Sequence, residues 1–259
     1  MFVDTHTHIY DMAFDEDRDD AVARAVSAGV QRMFLPAVDS STHENIVDIC
    51  QLYPKYCFAM MGLHPTSVND NPNYKQELEI VARYLKNPPV PFYAIGETGL
   101  DLYWSKDSLP QQTEALRFQI ELALEYDLPI VLHTREAFDQ IIEIISQYSG
   151  SGLRGVFHSF AGTLAQYEKI RSLGDFMFGI GGVLTYKKAA IAEVVKGIPL
   201  EDIVLETDSP YLPPVPYRGK RNESSYIPII AGKLAEIKEV AVSIIAESTT
   251  KNALSLFKA

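Results

Sequence analysis

Eight short apolar runs, each followed by a stretch of helical periodicity or a connecting loop, constrain the fold of this chain more than any other feature. The runs are FVDTHTHI from Phe2, RMFLPAV from Arg32, CFAMMGLHP from Cys57, FYAIGETGL from Phe92, PIVLHTR from Pro129, GVFHSF from Gly155, FMFGIG from Phe176 and IVLETDSP from Ile203. Near-continuous apolar runs of this length read as strands buried on both faces. Between them, Ile46, Ile49, Cys50 and Tyr53 share one helical face that ends at Pro54, and Leu116, Ile120, Ala123 and Leu124 share another. Strands alternating with helices imply parallel pairing with right-handed crossovers. Eight such units in 259 residues match a (β/α)8 barrel, which typically takes ~250 residues. An open doubly wound sheet shows much the same alternation, but the glycine fingerprint of a dinucleotide fold is missing after the first strand, which favours the barrel. The expectation is an α/β protein, a single TIM-barrel domain over residues 1–259 with its active site at the C-terminal ends of the strands. The stretch PYLPPVPYRGKRNESSYIP from Pro210 is too rich in Pro and polar residues to begin as helix, and reads as a long loop over the barrel mouth.

Composition narrows the chemistry. Cys50 and Cys57 are the only cysteines and form no CxxC pattern, so a disulfide framework or thiolate zinc site is not expected, and any metal must be held by nitrogen and oxygen. A formal charge of −11 argues against a broad nonspecific surface for nucleic acid, so a polyanionic substrate must be met locally, at the site. MFVDTHTHIY shows no basic segment leading into an apolar run, and no stretch approaches the ~18 apolar residues of a membrane span. A cytoplasmic protein without membrane contact is the expectation.

Five of the six histidines, His6, His8, His64, His133 and His158, fall at or just beyond the C-terminal ends of the expected strands; only His43 sits elsewhere. In a barrel that end is where residues distant in sequence converge on an active site. His6 and His8, two apart on the first strand, are expected on the same face, where both can ligate one ion. Glu97, His133, His158 and Asp208 follow in the same way at the ends of the fourth, fifth, sixth and eighth runs. Any one of these is unremarkable as a polar residue capping a strand, but together with the HxH pair they point to a metal centre. Imidazole and carboxylate donors suit Zn, Mn, Fe or Mg. Six donors exceed what one tetrahedral ion uses, and suffice for two divalent ions about 3.5–4 Å apart if a carboxylate bridges them. Glu97, midway along the series, is the expected bridge.

With these residues in hand, the chain resembles the TatD family of metal-dependent deoxyribonucleases, within the amidohydrolase-like superfamily of barrels. The resemblance is carried by DTHTHI at the first strand, GLHP at 62–65, GETGLD at 96–101, LHTR at 132–135, FHSFAG at 157–162, GGVLTYK at 181–187, ETDSPYLPP at 206–214 and RGKRNES at 218–224, in order along nearly the whole chain. It implies that His6, His8, Glu97 and Asp208 hold one ion and that Glu97, His133 and His158 hold the other. It also implies Mg-supported cleavage of DNA phosphodiesters, often as removal of nucleotides from a 3′ end of single strands. Relatives bridged by a carbamylated lysine need Lys where Glu97 stands, so this chain lies apart from the phosphotriesterase and dihydroorotase type.

The expected reaction is hydrolysis by a water activated by the metal pair (Mg, Mn or Zn), with Asp208 orienting that water or taking its proton while Glu97 holds both ions. No motif suggests a Ser or Cys nucleophile. Arg135, two residues past His133, offers a planar fork to phosphate, against the alternative of a salt bridge to a loop carboxylate. Arg218, Lys220 and Arg221 form a basic run in the loop after Asp208, with Arg218 the best substrate contact among them. His64 is not needed to complete either ion and reads as a substrate contact, or as a buried histidine that steadies the site. Tyr103 and Trp104 offer a stacking surface for bases, against packing within their own loop. Asp4 and Glu206 share the facing parity of His6 and Asp208 and read as supports behind the ligands. Two rivals remain: a metal-dependent amide or ester hydrolase such as an aminoacyl-tRNA deacylase, and a non-enzymatic binding module stabilised by metal.

Overall fold

In the computed structural model, which describes residues 1–259, eight parallel strands lie side by side in sequence order. They are β1 (Phe2–Asp4), β2 (Val30–Leu35), β3 (Cys57–Met61), β4 (Phe92–Asp101), β5 (Ile130–Arg135), β6 (Arg154–Phe157), β7 (Asp175–Ile180) and β8 (Ile203–Leu205). Helices α1 (Arg18–Ser27), α2 (Ser40–Leu52), α3 (Tyr74–Lys86), α4 (Leu109–Glu125), α5 (Phe138–Ser146), α6 (Leu164–Arg171) and α7 (Ile191–Gly197) connect successive strands, and α8 (Ile227–Lys238) and α9 (Val242–Phe257) follow the last. The TIM barrel expected from the alternation is the fold of this chain.

Strand alternation explains why the runs are apolar throughout. Phe34, Phe58, Met60, Val131, Val156 and Val204 fill the barrel interior, while their neighbours Leu35, Ala59, Met61, Leu132, Phe157 and Leu205 belong to the layer under the helices. Of the helical faces read from sequence, Ile46, Ile49, Cys50, Leu116, Ile120 and Ala123 are buried. At the bottom of the barrel, Ala253, Leu256 and Phe257 of α9 join the interior cluster, and the Phe257 ring stacks on Phe34 at 4.2 Å between centroids. With the floor packed by hydrocarbon, the opposite mouth is where inward-facing polar groups can stand.

Closure of the barrel happens above the strands proper. β8 and β1 meet through a parallel bridge between Thr7 and Ser209, backed by Asp208 N–H donating to the His6 carbonyl at 2.9 Å and His8 N–H to the Ser209 carbonyl at 2.8 Å. The seam thus holds three of the expected ligands. The strand ends differ from the sequence expectation here. β1 stops at Asp4 and a bend follows at Thr5, so His6 and His8 lie beyond the strand rather than on it. Val3, not Asp4, joins the interior cluster; Asp4 turns to Thr207, so the parity expected to link Asp4 with His6 is broken at that bend. Conversely, Glu97 does not close β4, which continues to Asp101 with a register shift between Ile95 and Thr98, and His133 lies within β5. Gly99 makes the shift possible: at φ +140°, with the position of a Cβ 2.0 Å from the His133 carbonyl oxygen, no other residue fits.

The segment after Asp208 runs over the mouth as expected, reaching a short 3-10 turn at Ser224–Tyr226 before α8. Asn222 Nδ2 donates to the carbonyls of Thr207 and Tyr211 at 2.8 and 2.6 Å, and Arg221 donates to Asp17 at 2.6 and 2.8 Å and to Glu223 at 2.9 Å. No helix is long and apolar enough to cross a membrane.

Candidate metal centre

Six side chains named from the sequence converge on one carboxylate. Glu97, 3% exposed, divides its oxygens between two groups. Oε2 lies 3.2 Å from His6 Nε2 and 3.9 Å from His8 Nε2; Oε1 lies 2.8 Å from His133 Nδ1, 3.4 Å from His158 Nε2 and 3.3 Å from His64 Nε2. Asp208 faces the first group, with Oδ1 3.4 Å from His8 Nε2 and 3.7 Å from His6 Nε2. His43, set apart in the sequence, is indeed elsewhere, buried on α2 against Tyr84.

Hydrogen bonds behind the imidazoles fix which nitrogen offers a lone pair. The Tyr10 hydroxyl donates its one proton to the Pro36 carbonyl at 2.6 Å, so at 2.7 Å it must accept from His8 Nδ1–H, which leaves His8 Nε2 bare. His133 Nε2–H faces Asp101 Oδ2 at 3.0 Å, leaving Nδ1 bare toward Glu97. His158 Nδ1 lies 3.1 Å from Glu206 Oε1, an ion-pair contact without hydrogen-bond geometry, and its Nε2 faces the centre 3.4 Å from Glu97 Oε1. His64 is the reverse. Its Nδ1 accepts from the Thr66 backbone N–H at 3.1 Å, so a neutral His64 carries its proton on Nε2 and presents a donor, not a lone pair.

Asp101 and Tyr10 were not singled out from sequence. Asp101 sits in GETGLD, four residues past Glu97; the β4–β5 register sets Gly99 opposite His133 and Asp101 opposite Arg135, two residues farther along, from where its carboxylate reaches back to His133 Nε2 at 3.0 Å. Asp4 and Glu206 do stand behind the centre. Asp4 accepts from Thr207 N–H at 2.9 Å and Thr207 Oγ–H at 2.6 Å, tying β1 to the segment after β8. Glu206 Oε1 accepts from Ser159 N–H at 2.5 Å, in space that Gly179 leaves open, since a Cβ there would lie 2.1 Å from Glu206 Oε2.

The titration tendencies agree with a cation site. Burial pushes the Glu97 carboxyl up, but the surrounding His64, His158 and His6 outweigh it and hold it well below the ordinary carboxylate range. Burial likewise raises Asp208, and His8, His158 and His6 outweigh that too, so both carboxyls are ionised at neutral pH. Burial lowers His6 and His64, which keeps them neutral. His158 shifts the other way: burial opposes the imidazolium, but Glu206 and Glu97 carry its pKa to about 10. His158, protonated at neutral pH, sets an N–H against Glu97 Oε1 at 3.4 Å, and a divalent cation would take that proton's place between the imidazole nitrogen and the carboxylate. His6 Nδ1 and Glu206 Oε2 are also buried without a hydrogen-bond partner, each at a cost of about 1–3 kcal/mol. Three overlapping sets are close enough to hold an ion, His6–His8–Glu97, His64–Glu97–His133 and His6–His158–Glu206, the second only if His64 gives up its Nε2 proton, and the donor set fits divalent cations.

The family profile described as TatD related DNase matches residues 3–258. The chain belongs to the TatD family. It is 34% identical to the metal-dependent hydrolase YabD of Bacillus subtilis, over 100% of this chain and 99% of that one. It is 31% identical to the 3′-5′ ssDNA/RNA exonuclease TatD of Erwinia amylovora, over 94% of this chain and 95% of that one. The crystal structure of the TatD homologue YjjV from Escherichia coli superposes with a TM-score of 0.92 at 29% identity, covering 100% of this chain and 98% of the other. This TatD chain is therefore a metal-dependent hydrolase by family.

Around the centre of this TatD barrel the peripheral candidates separate. A recess of about 390 Å³ reaches Glu97 and is lined by His64, Tyr10 and Tyr211 among others, and a second of about 430 Å³ joins Arg135 to His133, His158 and Asp208. Arg135 pairs with no carboxylate; its guanidinium lies 3.7 Å over the Tyr103 ring and 5.6 Å from Trp104. Tyr103 and Trp104 touch edge to face at 4.9 Å within their loop yet remain 50% and 67% exposed, so both keep open ring surface. Arg218 stacks over Tyr186 at 4.2 Å on the flank of the mouth, lining neither recess. Arg221 is held by Asp17 and Glu223 and is a structural clamp for the loop.

Proposed function

We propose that this chain hydrolyses phosphodiester bonds of single-stranded DNA, releasing nucleotides from the 3′ end, with the help of two divalent cations (Mg, Mn or Zn) that Glu97 would hold in common. His6, His8 and Asp208 complete one site and His133 and His158 the other. The observation that carries the phosphodiester reading is Arg135: a guanidinium without a carboxylate partner, stacked on an exposed aromatic, opening onto the same recess as Asp208. A guanidinium kept free in this way, in a chain of net charge −11, suits an anionic oxygen pair. The Erwinia amylovora relative, named as an exonuclease on single strands, supports the same reading.

Bound cations would lower the pKa of water from about 15.7 toward 7 and neutralise charge building on the phosphoryl oxygens. The protein's own groups do the rest. Asp208, ionised at neutral pH, orients the attacking water and accepts its proton at Oδ1. Water oxygen bonds to phosphorus, the bond from phosphorus to the 3′ oxygen breaks, and the departing 3′ oxygen is protonated from solvent. His64 Nε2–H donates to a non-bridging oxygen, Arg135 grips the phosphate in plane, and Tyr103 and Trp104 stack neighbouring bases. Arg218 meets the strand farther along.

Digestion of 3′-labelled and 5′-labelled single-stranded DNA with Mg, Mn or Zn, against an EDTA control, tests this. Loss of the 3′ label as mononucleotide, abolished by EDTA, is the expected result. Absence of metal-dependent cleavage, with turnover of an aminoacyl ester or lactone instead, would overturn it.

A further inference from the structure

Beside the metal centre lies an apolar cavity of about 150 Å³ for which the hydrolytic steps have no use. Its walls are Phe160, Ile180, Leu184 and Ile191, all buried, and its edge is formed by Ser159 and Ala161. Those two edge residues also line the recess of Arg135, His158 and Asp208, so the cavity adjoins the phosphate-sized space one residue from His158. The walls are fixed by backbone bonds: Phe160 N–H donates to the Gly179 carbonyl at 3.0 Å and Leu184 N–H to the Gly181 carbonyl at 3.1 Å.

Seven of the nine lining residues are hydrophobic, and a buried water needs roughly 2–4 polar partners, so water gains little there. A flat ring gains more. A cavity of about 150 Å³ walled by Leu, Ile and Phe side chains accepts benzene, which sets the scale at one six-membered ring. At the edge, the Ala161 backbone N–H makes no hydrogen bond within the fold, and a pyrimidine carbonyl oxygen is an acceptor of the right kind.

We infer that this cavity seats the base of the 3′-terminal nucleotide and selects single-ring pyrimidines over purines. The inference rests on the phosphodiesterase reading above: a phosphate between Arg135 and Asp208 carries its sugar and base past Ser159 and Ala161. Two fused rings exceed the space, so a terminal purine stays outside and is held by its phosphate and sugar alone.

Binding of 2′-deoxycytidine 5′-monophosphate, 2′-deoxyadenosine 5′-monophosphate and 2-deoxyribose 5-phosphate to the full chain, by calorimetry in Mg buffer, tests the cavity without relying on turnover. The pyrimidine nucleotide should bind about ten- to a hundredfold tighter than the sugar phosphate, the gain expected from burying one ring, and the purine nucleotide should not share that gain. Ala190→Phe fills the cavity from its exposed rim at φ −58°, where a larger residue needs no backbone change, and should remove the pyrimidine advantage. Equal binding of all three by the unaltered protein, or a pyrimidine advantage that survives Ala190→Phe, would overturn the inference. A pyrimidine advantage in a protein that cleaves no DNA would uphold the cavity and refute the phosphodiesterase reading. DNA cleavage without the advantage would do the opposite.

Discussion

Asp101→Asn is the sharpest probe of how the second half of the centre is built. Asp101 Oδ2 receives His133 Nε2–H at 3.0 Å while Oδ1 accepts from the Tyr103 backbone N–H at 3.0 Å. An asparagine that keeps its oxygen on Tyr103 turns its NH2 toward Nε2, forcing the imidazole proton onto Nδ1, the nitrogen 2.8 Å from Glu97. The opposite amide orientation sets two donors face to face at Tyr103, with a buried donor left unpaired. Either way a charge-assisted hydrogen bond worth about 1.5–3 kcal/mol is lost, which corresponds to a roughly ten- to hundredfold weaker hold on the cation. Competition of Mn or Zn between the protein and a fluorescent chelator measures it, with thermal unfolding of the metal-free protein as a control for folding. Affinity within about twofold of the unaltered protein would refute the argument that Asp101 sets the His133 tautomer.

Further outcomes follow from the same geometry. His43 is buried with Asp39 and Glu77 as its nearest charges, and burial lowers its pKa below 6.5. The unfolded chain therefore binds the extra proton first, and stability should fall as pH drops below 6.5, by up to about 1.4 kcal/mol per pH unit until the folded pKa is reached. His43→Gln should flatten that limb in urea titrations between about pH 5 and 6.5; an unchanged slope would contradict it. Phe257→Ala removes the ring stacked on Phe34 at the barrel floor and should cost about 3–5 kcal/mol in chemical denaturation, with the metal centre's affinity little altered. Arg135→Lys should behave much like Arg135→Ala toward DNA, each losing about tenfold or more in kcat/KM, because an ammonium can neither stack on Tyr103 nor grip phosphate in plane. Full activity in the lysine variant would count against a phosphate role for Arg135.

The barrel was legible because buried strands and helical faces leave different periodicities, and the centre because polar residues ending apolar runs have only the mouth to occupy. His6, His8, Glu97, His133, His158 and Asp208 are gathered as the pattern implied. What lay beyond sequence were the details set by register and bends. The bend at Thr5 takes Asp4 out of phase with His6, and the shift before Thr98 sets Gly99 opposite His133, which leaves Asp101, two residues farther along, within reach of its ring. Tautomers were equally hidden. That His64 presents a donor while His8 presents a lone pair depends on Thr66 and Tyr10, ordinary loop residues whose hydrogen bonds exist only in the folded chain. Arg218 and Arg221 looked alike in one basic run; Asp17 and Glu223, distant and near in sequence, separate them.

The central claim is one carboxylate serving two cations, since Glu97 Oε2 faces His6 and His8 while Oε1 faces His133 and His158. Metal analysis of the protein reconstituted with Mn or Zn, set beside Glu97→Gln, tests it most directly. The account predicts two ions per chain in the unaltered protein and weakened retention of both in the variant. One ion per chain, or a variant that loses one ion and binds the other undiminished, would contradict it.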